Sequence, residues 1–376
     1  MLKNLISSSG NLYRLLNAID SHIPVSVFGV GRQEKILILD ESSDKKLIVA
    51  VNDDEAVNYY ETLTNENKSV DLLINNLETQ VSKFSSATQI NVLKTLQDIV
   101  TDNVDYVVVS PKVLLDKLPS PKMVKNLILT IEEDESYDIN SITKKLVKMG
   151  YRKDDIVNES MEFSVKGDIL MVYPINMDYP VKISFFDDQV EFIKEYNPDN
   201  QSIIGSLDSI NIYSANFIID NPTDQNELSI KASKFNDRES EETFNNTISE
   251  VNISLDNGIL PVWAKVYMLD YDHSIFEFFD DGIVAFDNPK LVLTSLVDTY
   301  QDIKNEFKED IKNGLITDKH KDFYFHEDEL FQFKNCGLVA FQNINNANNI
   351  FKPKAVFSIP TTPQINYSYN KSTLYS

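Results

Sequence analysis

A glycine-bearing turn near the start offers the first chemistry. Gly29-Val30-Gly31-Arg32-Gln33-Glu34-Lys35-Ile36 follows an apolar run at 25–29 and leads into a helix-like stretch. A phosphate-binding P-loop needs glycine, four residues, a second glycine, lysine, then serine or threonine. Its backbone N–H groups cradle phosphate oxygens, its lysine pairs with them, and its hydroxyl holds magnesium. Gly29 and Lys35 fit that spacing. Glu34 replaces the second glycine and sets a carboxylate where phosphate oxygens would lie, and Ile36 replaces the hydroxyl. The stretch reads as a degenerate P-loop that keeps a strand-to-helix turn without the nucleotide chemistry, so no nucleotide cofactor is expected.

Other reactive residue types lack partners at useful spacing. His22, His273, His320 and His326 have no second histidine or cysteine at a metal-ligand spacing, and His326-Glu327-Asp328-Glu329 reads as a helix start, so no metal is expected. Asp187 and Asp188 are adjacent and point apart in a strand or turn, which does not make a general acid/base pair. Cys336 lies beside an apolar run and reads as a buried, inert thiol. With no nucleophile, base and orienter together, the segment is expected not to be an enzyme. The run Val181-Lys182-Ile183-Ser184-Phe185-Phe186 is more informative. Alternation puts Val181, Ile183 and Phe185 on one face, and Lys182, Ser184 and Phe186 on the other. An aromatic beside a cation on a polar face suits a protein-contact hot spot. Equally, a helix could cover that second face.

The elements that would position these residues fall into three regions. Region 1–135 alternates strand and helix. Apolar runs at 25–29 and 46–51, a helix at 53–63 with acids in its first turn, and an amphipathic helix at 90–99 precede a continuous apolar strand at 106–109. Pro111 opens a helix over 113–118, closed by Pro119 and Pro121. Region 136–218 begins with a helix at 142–149, capped by Gly150. Period-two strands follow at 161–165, 169–173, 181–186, 189–196 and 209–213, with turns at Asp187-Asp188 and Asn197-Pro198-Asp199-Asn200. Region 219–376 opens with a polar, acidic connector at 221–257. It then returns to α/β rhythm with a strand at 283–286, a long helix at 289–313 and a strand at 337–341.

Bulk numbers narrow the function. The 376 residues suffice for two or three domains, with 42% hydrophobic and 25% charged residues marking a globular chain. A net charge of −23 repels phosphate backbones and argues against a main DNA grip. One cysteine excludes an internal disulfide and suits a reducing cytoplasm. No apolar run reaches membrane-spanning length, and 1–10 lacks the pattern of a signal peptide.

The second region carries a resemblance. Gly150-Tyr151-Arg152, then Glu162-Phe163-Ser164-Val165-Lys166-Gly167-Asp168-Ile169-Leu170, Tyr173-Pro174 and Pro180-Val181-Lys182-Ile183-Ser184-Phe185-Phe186-Asp187-Asp188 follow in order, continuing through Val190, Ile193 and Leu207-Asp208. This resembles the UvrB-interaction domain shared by UvrB and Mfd. The flanks favour Mfd-like chains: Leu118-Pro119-Ser120-Pro121, Gly258-Ile259-Leu260, Tyr267, Phe276, Phe279, Asp287-Asn288-Pro289 and Pro363-Gln364-Ile365-Asn366-Tyr367 are similar to Mfd segments. The intact P-loop and long DNA-gripping aromatic hairpin of UvrB have no counterpart here.

The resemblance implies a degenerate P-loop (RecA/helicase-like) α/β domain in two sequence halves, with the small α+β interaction domain inserted and the C-terminal half cut short. It implies recruitment of UvrA in transcription-coupled excision repair, with RNA polymerase and DNA held by other parts of the full-length protein. A cytoplasmic monomer is expected. The family's main UvrA contacts, two arginines and a phenylalanine, fall on Lys166, Lys182 and Phe186. Lysine keeps the charge there and loses the planar two-pronged grip on carboxylates. Glu159-Ser160-Met161 replaces a glycine, and Met171 an acid. Two other functions compete: a residual nucleotide-dependent helicase or ATPase fragment, which needs nucleotide at 29–35, and an orphan interaction protein that kept the fold.

Overall fold

The computed structural model describes residues 10–74, 86–216, 241–242, 272–313, 324–343 and 350–359. Most of the acidic connector, Gly258-Ile259-Leu260, Tyr267, His320 and Pro363-Gln364-Ile365-Asn366-Tyr367 lie outside the described residues.

Short, continuously apolar runs build a parallel sheet buried on both faces, because crossover helices cover each side. The N-terminal part supplies α1 (Gly10–Asp20), β1 (Val25–Phe28), α2 (Arg32–Leu39), β2 (Lys46–Val49), α3 (Asp53–Asn65), β3 (Val70–Leu73), α4 (Ser86–Val100), β4 (Tyr106–Val109), α5 (Pro111–Leu114) and α6 (Pro121–Leu127). The order in the sheet is β15-β1-β14-β13-β2-β4-β3, with every neighbouring pair parallel. The last three strands, β13 (Ile283–Asp287), β14 (Gly337–Gln342) and β15 (Ala355–Ser358), therefore come from the other end of the chain. Alternation divides the core cleanly. Leu47, Val49, Val107, Val109, Val284 and Phe286 pack on one face; Ile48, Tyr106, Val108, Ile283 and Ala285 pack on the other. This is an α/β fold with a mostly parallel sheet, compatible with Rossmann- or P-loop-like architecture.

Between β4 and β13 the chain changes rhythm. β5 (Leu129–Glu132) pairs antiparallel with β12 (Ser209–Ile212). α7 (Ile139–Lys148), with Asp138 accepting from Asn140 N at its N-terminus, precedes β6 (Arg152–Lys153), β7 (Glu162–Lys166), β8 (Ile169–Val172), β9 (Val181–Phe186), β10 (Gln189–Tyr196) and β11 (Ile203–Leu207). Six strands form the sheet β11-β10-β9-β8-β7-β6, antiparallel apart from the short β6–β7 pair. Ile142, Leu146 and the adjoining Met149 bury against Leu170, Ile183, Phe185, Val190 and Ile193. Leu129, Ile131, Ile210 and Ile212 join the same core. Each such aliphatic side chain contributes about 1.5–3 kcal/mol of burial.

A buried polar joint holds this part against α4. The Gln97 side-chain amide donates to Ser214 O at 2.9 Å and accepts from Ser214 N at 2.8 Å. The Tyr213 hydroxyl meets Thr101 Oγ1 at 2.5 Å and accepts from Asn103 Nδ2 at 2.7 Å. After β13 come α8 (Pro289–Lys312) and the single-turn α9 (Glu327–Leu330). Among the described residues no helix is long and apolar enough to cross a membrane, and no group of three or more His, Cys, Asp or Glu is placed to hold a metal.

Candidate functional site

Residues 29–36 lead from β1 through a turn into α2. Gly29 has φ +83°, the left-handed region that glycine adopts without a Cβ clash, and α2 starts at Arg32 behind Gly31. Glu34 Oε2 lies 2.7 Å from where a Cβ on Gly31 would stand, so its carboxylate folds back over the turn. Ile36 is fully buried in the core rather than turned toward the loop. Lys35 is buried, and its Nζ donates to Asp287 Oδ1 at 2.7 Å. It reaches over β14, 5.8 Å from the Phe341 ring centroid, to the carboxyl end of β13. Asp287 Oδ2 accepts from the Tyr59 hydroxyl at 3.1 Å, and burial pushes that phenol well above its usual range. Arg32 is paired with Glu55 at 2.7 Å. Both cations of the loop are thus matched by carboxylates of the same chain. Asp287 is the member of this set that local spacing could not reveal, since 252 residues separate it from Lys35.

The second site is the outer face of the six-stranded sheet. α7 covers the face that carries Ile183 and Phe185, and leaves the other uncovered at Phe186, whose side chain is 68% exposed. The alternative in which a helix buries Phe186 does not occur. Pairing builds the face outward from β9. Ser184 lies opposite Ile169 on β8 and Phe192 on β10; Lys182 lies opposite Met171 and Lys194; Phe186 lies opposite Gln189. A register shift between Val190 and Phe192 leaves Glu191 unpaired in the ladder. Its carboxylate turns back and accepts from Ser184 Oγ at 3.0 Å.

Lys166 is exposed at the end of β7, opposite Ile169. Lys182 is half-buried, its Nζ 4.4 Å from the Tyr196 ring centroid, and Lys194 Nζ sits 4.3 Å from the Phe192 centroid. Burial raises the Tyr196 phenol to about 12. The three sequence-selected residues Lys166, Lys182 and Phe186 share this face. Sequence reasoning missed Ile169, Phe192 and Lys194. Such a patch, which mixes exposed apolar and cationic side chains, can bind a protein surface.

A third polar cluster joins His273, Glu277 and Lys334. The Glu277 carboxylate lies 3.0 Å from His273 Nδ1 and 3.1 Å from Lys334 Nζ. It also accepts from Ser274 N, closing a capping box on the 3-10 turn Ile275–Phe279. These bonds account for the cluster structurally. Cys336 is buried, and burial pushes its thiol up to about 11.

Residues 129–217 match the UvrB interaction domain. The chain is 32% identical over 120 residues to the transcription-repair-coupling factor of Bacillus subtilis (strain 168), covering 32% of this chain and 10% of that protein. It is 26% identical over 212 residues to the same-named protein of Borreliella burgdorferi, covering 53% of this chain and 18% of that one. It is 29% identical over 115 residues to UvrABC system protein B of Treponema denticola, covering 31% of this chain and 17% of that protein. The matched stretches thus span less than a fifth of each of these relatives.

Proposed function

We propose that this Mfd/UvrB-like module, with a UvrB interaction domain at 129–217, serves nucleotide excision repair by holding UvrA where RNA polymerase has stalled. In this reading it works without catalysis, as a monomer, while polymerase and DNA are engaged by other segments of a transcription-repair coupling factor. The observation that carries the reading is the uncovered sheet face that bears exposed Phe186 together with Lys166 and Lys182. An exposed aromatic there costs the free protein solvation and is useful when a partner covers it. The degenerate P-loop domain then acts as the scaffold. Its Lys35–Asp287 pair and the folded-back Glu34 leave a nucleotide phosphate neither a free ammonium nor an open turn.

The test is co-elution on a sizing column with UvrA from the same organism, and calorimetric titration of the chain with Mg-ATP. A shared peak with UvrA and no heat from Mg-ATP is the expected result. A nucleotide isotherm in the micromolar range, without UvrA co-elution, would instead favour a residual ATPase fragment. Failure of both would leave an orphan interaction protein.

A further inference from the structure

We infer that Lys194 joins Lys182 as a cation that meets a partner carboxylate on the face that bears Phe186. This rests on the reading of the Phe186 face as the UvrA contact and deepens it by fixing the chemistry the partner must present.

Two strands joined by the two-residue turn Asp187-Asp188 pair Phe186 with Gln189 and Phe185 with Val190. Continued without interruption, that ladder would place Ile193 opposite Lys182. The extra residue Glu191 shifts it by one, so Lys194 stands directly opposite Lys182 on the outer face. Like charges on one rung of an antiparallel pair oppose folding. Neither lysine belongs to an ion pair among the described residues, although Lys35, Lys68 and Lys94 each find a carboxylate.

The two ammonium groups separate by leaning in opposite directions along the strands. Lys182 lies over Tyr196, which sits toward the Val181 end of the pair. Lys194 lies over Phe192, which faces Ser184 and so sits toward Phe186. The ammonium on the Phe186 side of the rung is therefore that of Lys194. Phe192 beneath it, Ile169 across Ser184 at 36% exposure, and Phe186 make an apolar floor beside it. Glu191, hydrogen-bonded to Ser184 Oγ, adds one fixed negative charge to the same face.

The matching partner surface is a protein segment with an Asp or Glu carboxylate next to an apolar side chain. The carboxylate would sit between Lys194 and Lys182, away from Glu191, and relieve the repulsion across the rung. The apolar group would cover Phe186.

The experiment uses the whole chain with UvrA from the same organism, and the variants Lys194→Glu, Lys194→Gln, Lys182→Glu and Phe186→Ala. Either glutamate places opposite charges across the rung, so both glutamate variants should melt no lower than wild type. Lys194→Glu, like Lys182→Glu, should weaken UvrA binding by about tenfold or more, and Lys194→Gln should bind with a weaker salt dependence than wild type. A residue that mattered only for folding would instead change melting and binding together. Wild-type affinity in Lys194→Gln or Lys194→Glu, with Phe186→Ala impaired, would overturn this inference and leave the UvrA reading standing. Absence of UvrA binding by wild type would overturn both.

Discussion

Replacing Phe186 by alanine separates a contact residue from a core residue, and its neighbour supplies the control. Phe186 is 68% exposed, so only about a third of its surface is withdrawn from water on folding. Full burial of a phenylalanine is worth about 1.5–3 kcal/mol, which leaves about 0.5–1 kcal/mol at stake in the fold. Phe185, one residue earlier, is 4% exposed and packs in the core with Ile183 and Val190. Phe185→Ala should therefore cost about 3–5 kcal/mol, cavity included. At a central contact position, truncating the aromatic should weaken binding by about 2 kcal/mol, roughly 30-fold in Kd. Urea melts of both variants and titration calorimetry with UvrA supply the two numbers. The expected pattern is a near-native midpoint with lost binding for Phe186→Ala, and a large drop in midpoint for Phe185→Ala. A Phe186→Ala variant that melts like Phe185→Ala, or that binds UvrA with unchanged Kd, would refute the reasoning.

Three further outcomes follow from the same structure. Lys35→Ala strands the Asp287 carboxylate in a nearly dry site and should lower stability by about 3–5 kcal/mol in denaturant melts, whereas Lys35→Met with Asp287→Leu should recover most of that loss. Gln97→Ala leaves both backbone groups of buried Ser214 without their partner and should cost about 1–3 kcal/mol, with faster amide exchange at Ser214 than elsewhere in the interaction domain. His22 lies between two acceptors, Asp44 Oδ2 at 2.9 Å and Asn335 O at 3.0 Å, and the Asp44 hydrogen bond is the main force raising its pKa above the ordinary value. Its protonated form favours the fold, so that stabilisation is complete below about pH 6.5 and fades as pH rises through the raised folded value. Between about pH 6 and pH 8, wild type should lose melting temperature relative to His22→Asn, and equal slopes would contradict the assignment.

Legibility from sequence followed the range of the interactions. The strand at 106–109 was readable because a run buried on both faces is continuously apolar, and β9 because one buried face forces strict alternation. β3 and β15 were missed. They are four-residue edge strands, and Asp71 interrupts the apolar pattern of β3. β5 was missed because its partner β12 lies some eighty residues away, and that pairing ties 129–132 to the interaction-domain core. The helix expected over 113–118 is instead Pro111–Leu114. Beyond it Asp116 bridges to Tyr324 and Leu118 to His273, so their backbone groups are used by distant segments.

On the exposed sheet face, alternation alone groups Lys182 with Phe186. Lys194 stayed hidden because a bulge at Glu191, which no local residue preference announces, decides which residue of β10 faces Lys182. In the loop at 29–36, Glu34 and Ile36 are legible as departures from a phosphate-binding pattern. That its lysine would be held by Asp287 depends on the order of the completed sheet, in which β14 alone separates β1 from β13.

The central claim is that this chain holds UvrA through the Phe186 face. Titrating UvrA into the intact chain, with Phe186→Ala run alongside, tests it most directly. The account predicts a saturating isotherm at one site per chain for wild type, and a roughly 30-fold weaker one for the variant. A flat wild-type trace, or superimposable isotherms for the two proteins, would contradict it.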